Sequence, residues 1–257
     1  MQTIQMIKHK FDHGIEIVPI SDLHIGSKEF EEGLFNRLVR EILASENTYC
    51  VIVGDMVDNG IKSSVTSPYE AVMQPNDQRK YAAELLLPLK DRILCMVSGN
   101  HEYRSRKETD TDPAQLIAER LNIEHLFRAD IAFMDIKCGD RTTNTVRPPR
   151  YVVAVTHGAG GGMLLGSGLN KAEPFAIALG VDMLITGHTH KPMTAPTIRY
   201  IPDLQKGVMV PREMRLLIST GWLSYGGYPT RKMLKPVCIR PNRAILSGTE
   251  YDISVLS

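Results

Sequence analysis

No stretch of the chain approaches the ~20 consecutive apolar residues that a membrane-spanning helix needs, and residues 1–10 hold no apolar run of signal-peptide length. A cytoplasmic location with no membrane partner is therefore expected. Charge of one sign is lacking too: 30 basic residues stand against 29 acidic ones, so the whole-chain charge points to neither nucleic acid nor a membrane surface. Any substrate preference has to come from local charge. Cys50, Cys95, Cys138 and Cys238 lie far apart, without the C-x-x-C spacing of a structural zinc site, which leaves reduced, buried thiols as the expectation. Internal repeats, low-complexity tracts and linkers are missing. At 257 residues the chain can bury a sizeable core without disulfides, and one domain over residues 1–257 is expected.

What is present, over the first two thirds, is one recurring pattern: a short apolar run, a polar loop with Asp, Asn or His, then helical spacing. Such alternation predicts an α/β layered domain. Strands are expected at 15–20, 49–53, 93–97, 131–136, 151–155 and 182–185. A helix from about Glu29 puts Leu34, Leu38 and Ile42 on one face, and another with Tyr81, Leu85 and Leu86 stops near Pro88. Pro113 opens a short helix, 114–121, with Asp112 as N-cap and Ile117 and Leu121 inward. Asp12 and His13 form a turn before the first strand. Beyond Lys191 the periodicity is strand-like and punctuated by Pro and Gly, so residues 191–257 are expected as strands completing the second sheet.

Five loops, each after an apolar run, present Asp22 and His24, then Asp55 and Asp58, then Asn100 and His101, then His157, then His188 and His190. Carboxylates, imidazoles and one amide make a mixed N/O set that suits Mn²⁺, Fe²⁺ or Zn²⁺ better than a thiolate-loving metal. Residues two apart on an extended segment point the same way, so Asp22 with His24, and His188 with His190, are each expected to converge. Gly54, Gly99 and Gly187 precede ligand candidates, where tight turns would aim side chains past the sheet edge. A lone histidine is as readily a core residue as a ligand, and for His157 taken singly both readings stand. His9, His13 and His125 match no motif and read as surface or packing residues.

The order D-x-H, G-D-x-x-D, G-N-H-E, T-H-G and G-H-T-H over residues 22–190 resembles the calcineurin-like metallophosphoesterase superfamily. That resemblance implies a four-layer α-β-β-α sandwich of two mixed sheets, with a two-metal site at the C-terminal ends of strands. Carried onto matching positions, it implies that Asp22, His24 and His190 hold one ion and that Asn100, His157 and His188 hold the other. Asp55 would bridge the two. The ions implied are Mn²⁺ first, with Fe²⁺, Zn²⁺ or Ni²⁺ as alternatives, and a hydroxide between them is the implied nucleophile. His101 would protonate the leaving oxygen or stabilise the transition state, with Asp58 orienting its ring and favouring the charged form. Glu102 is open between a hydrogen bond behind the ligands and a surface position.

The substrate implied is a phosphoester. The S-D-L-H-I-G opening and the two-histidine close resemble the nuclease and phosphodiesterase branches, whereas the phosphoprotein phosphatases carry an arginine where this chain has Asn59. Hydrolysis of phosphodiesters in nucleic acid or nucleotides is the expectation; a phosphomonoesterase such as a protein phosphatase, and a non-enzymatic metal-binding scaffold for partners, are the alternatives. Nine basic residues between Arg199 and Arg243 face two acidic ones, either a nucleic-acid track or an ordinary solvated sheet face. The glycine-rich run 158–168 is either a loop that closes over substrate, a partner contact or a flexible connection. Oligomeric state is left open.

Overall fold

Two six-stranded mixed sheets pack face to face, with helices on both outer faces, in the computed structural model, which describes residues 3–62, 64, 68–139, 147–162, 164–227, 230, 236 and 238–256. Residues 140–146 of the excursion before the 150s, Met163 of the glycine-rich run, and Arg231, Lys232 and Lys235 of the basic segment lie outside the described residues. The chain runs β1 (Ile7–Phe11), β2 (Ile15–Ile20), α1 (Glu32–Ala44), β3 (Thr48–Val53), α2 (Pro75–Leu86), β4 (Ile93–Val97), α3 (Asn100–Thr109), α4 (Pro113–Leu121), β5 (Phe127–Arg128) and β6 (Ile131–Cys138). It continues through β7 (Arg150–Thr156), α5 (Leu169–Leu179), β8 (Met183–Thr186), β9 (Met193–Asp203), β10 (Val208–Ile218), β11 (Arg243–Leu246) and β12 (Ile253–Leu256).

One sheet has the order β1-β6-β7-β8-β10-β9 and the other β12-β11-β2-β3-β4-β5. Every residue of β4 is buried, and β3 has one partly exposed position, Tyr49. Continuous burial of this kind belongs to parallel strands covered on both faces, and β2, β3 and β4 are parallel neighbours. Phe35, Leu38, Val39 and Ile42 of α1 and Ala82, Ala83 and Leu86 of α2 join the main core. Ala172 and Ala176 of α5 close a smaller one against Leu184, Met214 and Leu216 on the other sheet. The four layers expected from the resemblance are thus present. Among the described residues no helix is long and apolar enough to cross a membrane.

Several expectations change. Helix α1 begins at Glu32, three residues late, because the main chain of 29–31 pairs instead with a loop near Trp222: Glu31 N–H donates to Trp222 O at 2.8 Å and Ser224 N–H to Glu29 O at 2.8 Å. The turn at Asp12 and His13 follows a strand rather than preceding the first one, since β1 pairs in parallel with β6. Residues 191–257 divide between the sheets: β9 and β10 extend one, β11 and β12 the other. Three cysteines are buried as expected, but Cys238 is exposed, lying outside any strand.

The N-terminus of α4 forms as its sequence predicts. Asp112 accepts from Ala114 N–H at 2.9 Å and also from Ser98 Oγ at 2.7 Å, which ties the helix to the end of β4. Asp112→Ala is expected to lower stability by about 1–2 kcal/mol, read as a drop in the urea midpoint at unchanged m-value.

Candidate metal centre

Because β2, β3 and β4 are parallel, their C-terminal ends share one rim, and β7, β8 and β10 are likewise parallel in the facing sheet. The five loops that carry the expected residues leave these rims, and the structure brings all nine side chains into one connected cluster. Three trios have ligand atoms within 4.8 Å of one another: Asp22, His24 and His190; His24, Asp58 and His101; Asp55, His157 and His188. Asn100 joins the third, its Oδ1 lying 2.7 Å from His188 Nδ1 and 3.1 Å from His157 Nε2. Asp55 Oδ2 stands between the groups, 3.2 Å from His157 Nε2, 3.9 Å from His24 Nε2 and 3.8 Å from His101 Nε2.

The donor set fits divalent cations. Asp22 Oδ1 is buried and accepts no hydrogen bond, although His190 Nε2 lies 3.2 Å away and the Nε2 atoms of His24 and His157 lie 3.9 Å away. His157 Nδ1 donates to Val53 O at 2.7 Å, which turns Nε2, the lone-pair nitrogen of the neutral ring, into the cluster. An unmet carboxylate oxygen facing imidazole nitrogens is the environment a borderline cation satisfies.

The charges say the same. Against the burial that raises it, Asp22 is brought down to about 2 by the imidazoles of His190 and His157. Asp55 is held well below the carboxylate range against its own burial, by His157 and then His101. Burial lowers His24 far below the usual imidazole value, with His101 adding to it, and burial and His157 lower His188. Despite burial, Asp55 and Asp22 push His157 up to about 10, and Asp22 raises His190. Two buried carboxylates thus draw protons onto neighbouring rings, a demand for positive charge that metal ions answer more strongly.

Convergence is achieved through the main chain in a way the sequence did not indicate. Asp22, His24, Asp55, His188 and His190 have φ of 55°, 46°, 52°, 66° and 56°. They sit in the left-handed region, at about 1–3 kcal/mol each, and not on extended segments. Asp22 and His24 do meet, but His188 and His190 part, one to each outer trio. Among the glycines, Gly54 has the positive φ of a turn, at 86°. Gly99 and Gly187 serve close approach instead: a side chain on Gly99 would enter the Asp55 carboxylate and main-chain nitrogen, and one on Gly187 would enter Ser21 Oγ.

Glu102 is fully buried and decides its own open reading. Its carboxylate accepts from the N–H groups of Gly99, Asp55, Met56 and Val57 at 2.8, 2.9, 2.8 and 3.3 Å, and so clamps the Asp55 turn to the start of α3. Burial, then the Asp55 carboxylate, pushes it up to about 7 against those donors. For His101 the tight contact is Nδ1 to the Asp58 main-chain oxygen at 2.6 Å, while the Asp58 carboxylate is 3.6 Å away. The ring's orientation therefore rests first on the peptide carbonyl.

A family model for the calcineurin-like phosphoesterases matches residues 15–192. The chain belongs to that family. Metal-dependent phosphoester hydrolysis is the chemistry this membership assigns. Over 127 residues the chain is 29% identical to the DNA polymerase II small subunit of Thermoplasma acidophilum, a match that takes in 47% of this chain and only 25% of that protein. Among solved structures it is similar to Vps29 of Cryptosporidium parvum, at 16% identity and TM-score 0.45 over 95% of this chain and 98% of that one. It is also similar to Vps29 of Entamoeba histolytica complexed with zinc, at 12% identity and TM-score 0.40 over 94% and 97%.

Around the phosphoesterase motifs the structure adds a sixth loop, Ser219 to Trp222 after β10. Trp222 N–H donates to Asp22 O at 3.1 Å, Ser219 N–H donates to Thr186 O at 2.7 Å, and Gly221 leaves room for the His190 ring. Ser21 Oγ and His188 N–H both donate to Asp22 Oδ2, the latter at 3.0 Å. The apolar run Leu216–Ile218 ending in Ser-Thr-Gly-Trp repeats the strand-then-loop pattern of the other five, and was the signal available. Among the described residues of the basic segment, five cations are paired: Arg199 and Arg212 both bind Asp182, Lys206 pairs with Asp203, Arg215 with Glu213, and Arg243 with Glu16 and Glu41. Gly99→Ala is expected to abolish tight Mn²⁺ binding in calorimetric titration while Asp112→Ala keeps it, because the added carbon meets the Asp55 main chain, which cannot swing aside.

Proposed function

We propose that this chain is a two-metal phosphodiesterase acting on nucleic acid or nucleotides. The observation that carries the reading is the placement of Asp55 Oδ2 between two ligand groups, with His101 Nε2 on the same face at 3.8 Å. Asp22, His24 and His190 would hold one ion and Asn100, His157 and His188 the other, with Asp55 shared. Such ions, Mn²⁺ foremost, would supply charge against the phosphoryl oxygens and acidify a water.

The protein's own groups do the rest. The strained Asp22, Asp55 and His190 backbones are fixed before substrate arrives, so the donors need little reorganisation. Because His101 Nδ1–H is engaged by the Asp58 carbonyl, Nε2 is the nitrogen free to carry a proton to the leaving oxygen. After transfer the ring is neutral and keeps its Nδ1–H. Burial, only partly offset by His101, raises the pKa of the nearby Asp58 carboxyl.

Two further observations favour a diester of nucleic-acid type over a phosphoprotein. Asn59 is buried, with Nδ2 on His101 O at 2.6 Å and Ser105 Oγ at 2.9 Å, so it braces α3 and offers no grip for a phosphate. The partial relative is named a DNA polymerase subunit. With Mn²⁺-loaded protein, bis-p-nitrophenyl phosphate should be hydrolysed in preference to p-nitrophenyl phosphate; monoester preference would instead favour a phosphatase. His101→Ala is expected to lose about 10²–10⁴ in kcat and retain its Mn²⁺ stoichiometry. Asp58→Asn should lose less than about tenfold, since the carbonyl that holds the ring remains; equal losses would restore the side chain as the orienting group.

A further inference from the structure

On the outer side of the β7–β8 rim lies a cavity of about 340 Å³ that the metal cluster does not use. Among the residues that line it are Leu184 and Ala172, the threonines Thr156, Thr186 and Thr189, Lys171 and Phe175. Three wall residues adjoin the candidate ligands in the chain: Gly158 follows His157, and Gly187 and Thr189 flank His188. The volume falls at the lower end of the range for small-ligand sites, about 300–1,000 Å³, which suits a nucleotide-sized group.

Thr156 Oγ1 donates to Asp130 O at 2.9 Å, but one lining hydroxyl is unmatched. Thr189 Oγ1 has no hydrogen-bond partner, and a buried hydroxyl left so costs about 1–3 kcal/mol. Among the described residues Lys171 has no carboxylate partner, unlike the arginines that Asp182 holds. Its ammonium instead lies over Gly160, which has φ of 87° and no side chain to displace it. Lys191, next to His190, donates to Gly162 O and Leu164 O, so the loop beneath that ammonium is tied to the metal-binding segment. Lys171 and Phe175 are four residues apart on α5 and therefore share a face one turn apart. Phe175 is 44% exposed, open to stacking rather than packed.

We propose that this cavity is a nucleotide subsite, in which Phe175 stacks on a base and Lys171 pairs with the phosphate next to the one being hydrolysed. It rests on the nucleic-acid reading above and gives it a place: a cation for a backbone phosphate and an exposed ring for a base. The two features one helical turn apart select a chain with successive phosphates over a small diester, which reaches only the metal cluster.

The test compares a fluorescein-labelled oligothymidylate with bis-p-nitrophenyl phosphate in Mn²⁺-loaded protein. Lys171→Ala and Phe175→Ala should each lower the ratio of kcat/KM for oligonucleotide to that for bis-p-nitrophenyl phosphate about tenfold, with Lys171→Arg restoring it. In anisotropy titrations on a His101→Ala background, which slows cleavage of the probe, Lys171→Ala should weaken binding and reduce the salt slope by about 0.7. Lys90→Ala, on a remote surface, should change neither. Equal losses on both substrates would mean a structural role and overturn the subsite, as would oligonucleotide kinetics and binding unchanged in both variants. Wild-type protein that hydrolyses bis-p-nitrophenyl phosphate yet neither binds nor cuts the oligonucleotide would overturn the nucleic-acid reading and the subsite together.

Discussion

Asp22 and Asp55 keep their negative charge with 0% and 2% of their surface exposed, and the rest of the site is arranged around that fact. A buried carboxylate is tolerated only where opposite charge or donors compensate it. Here the compensation is divided. Asp22 Oδ2 is met by Ser21 Oγ and His188 N–H, and Asp55 Oδ1 by His101 N–H at 2.8 Å. The second oxygens, Asp22 Oδ1 and Asp55 Oδ2, face imidazole nitrogens. One oxygen of each pair is thus bound by the fold and the other is presented to whatever positive charge occupies the cluster. This division explains why membership of a metal-dependent family agrees with the local electrostatics.

The fold keeps the second oxygens from finding ordinary partners by committing the backbone around them. Five candidate ligands occupy left-handed φ, where Asp and His are tolerated better than branched residues, and the neighbouring main chain is held from behind. Glu102 is the clearest brace. Its four N–H partners come from Gly99 and from residues 55–57, so β3 and β4 cannot shift relative to each other at the rim without breaking a buried carboxylate's bonds. The closeness of Gly99 to Asp55 belongs to the same junction. The Asp55 loop is thus held by contacts within its own sheet, while Asp22 is held from the facing sheet by the N–H groups of His188 and Trp222, and that sheet also delivers His157, His188 and His190 from its own parallel strands.

The ligand loops were legible because polar residues interrupt apolar runs at strand ends, a contrast visible in one dimension. The helix α3 was not, since its stretch Asn100–Thr109 buries only Glu102 and Ser105 and so has no apolar stripe to betray a period. Edge strand β1 has one buried residue, Ile7, for the same reason. Left-handed φ leaves no mark on residue spacing, which is why His188 and His190 looked like a converging pair. The basic run between Arg199 and Arg243 could not be weighed from sequence because its counter-charge is remote: Asp182 precedes Arg199 and Arg212 by 17 and 30 residues and reaches both through the sheet.

That pairing has a consequence for how charge is distributed over the molecule. Among the described residues, Arg199, Arg212, Arg215 and Arg243 are engaged with carboxylates that help hold the strands and α1 in place. Lys171, which pairs with no carboxylate among the described residues, stands on α5, a helix that contributes no residue to the candidate metal groups found among them. The candidate ligands come from both sheets and are pinned by strained loops, whereas the proposed subsite draws on one wall of one sheet and its helix. In a layered fold of this kind the α5 side of that wall can change while Asp22 and Asp55 stay fixed, because the α5 contacts belong to the smaller core and share no buried residue with the main one.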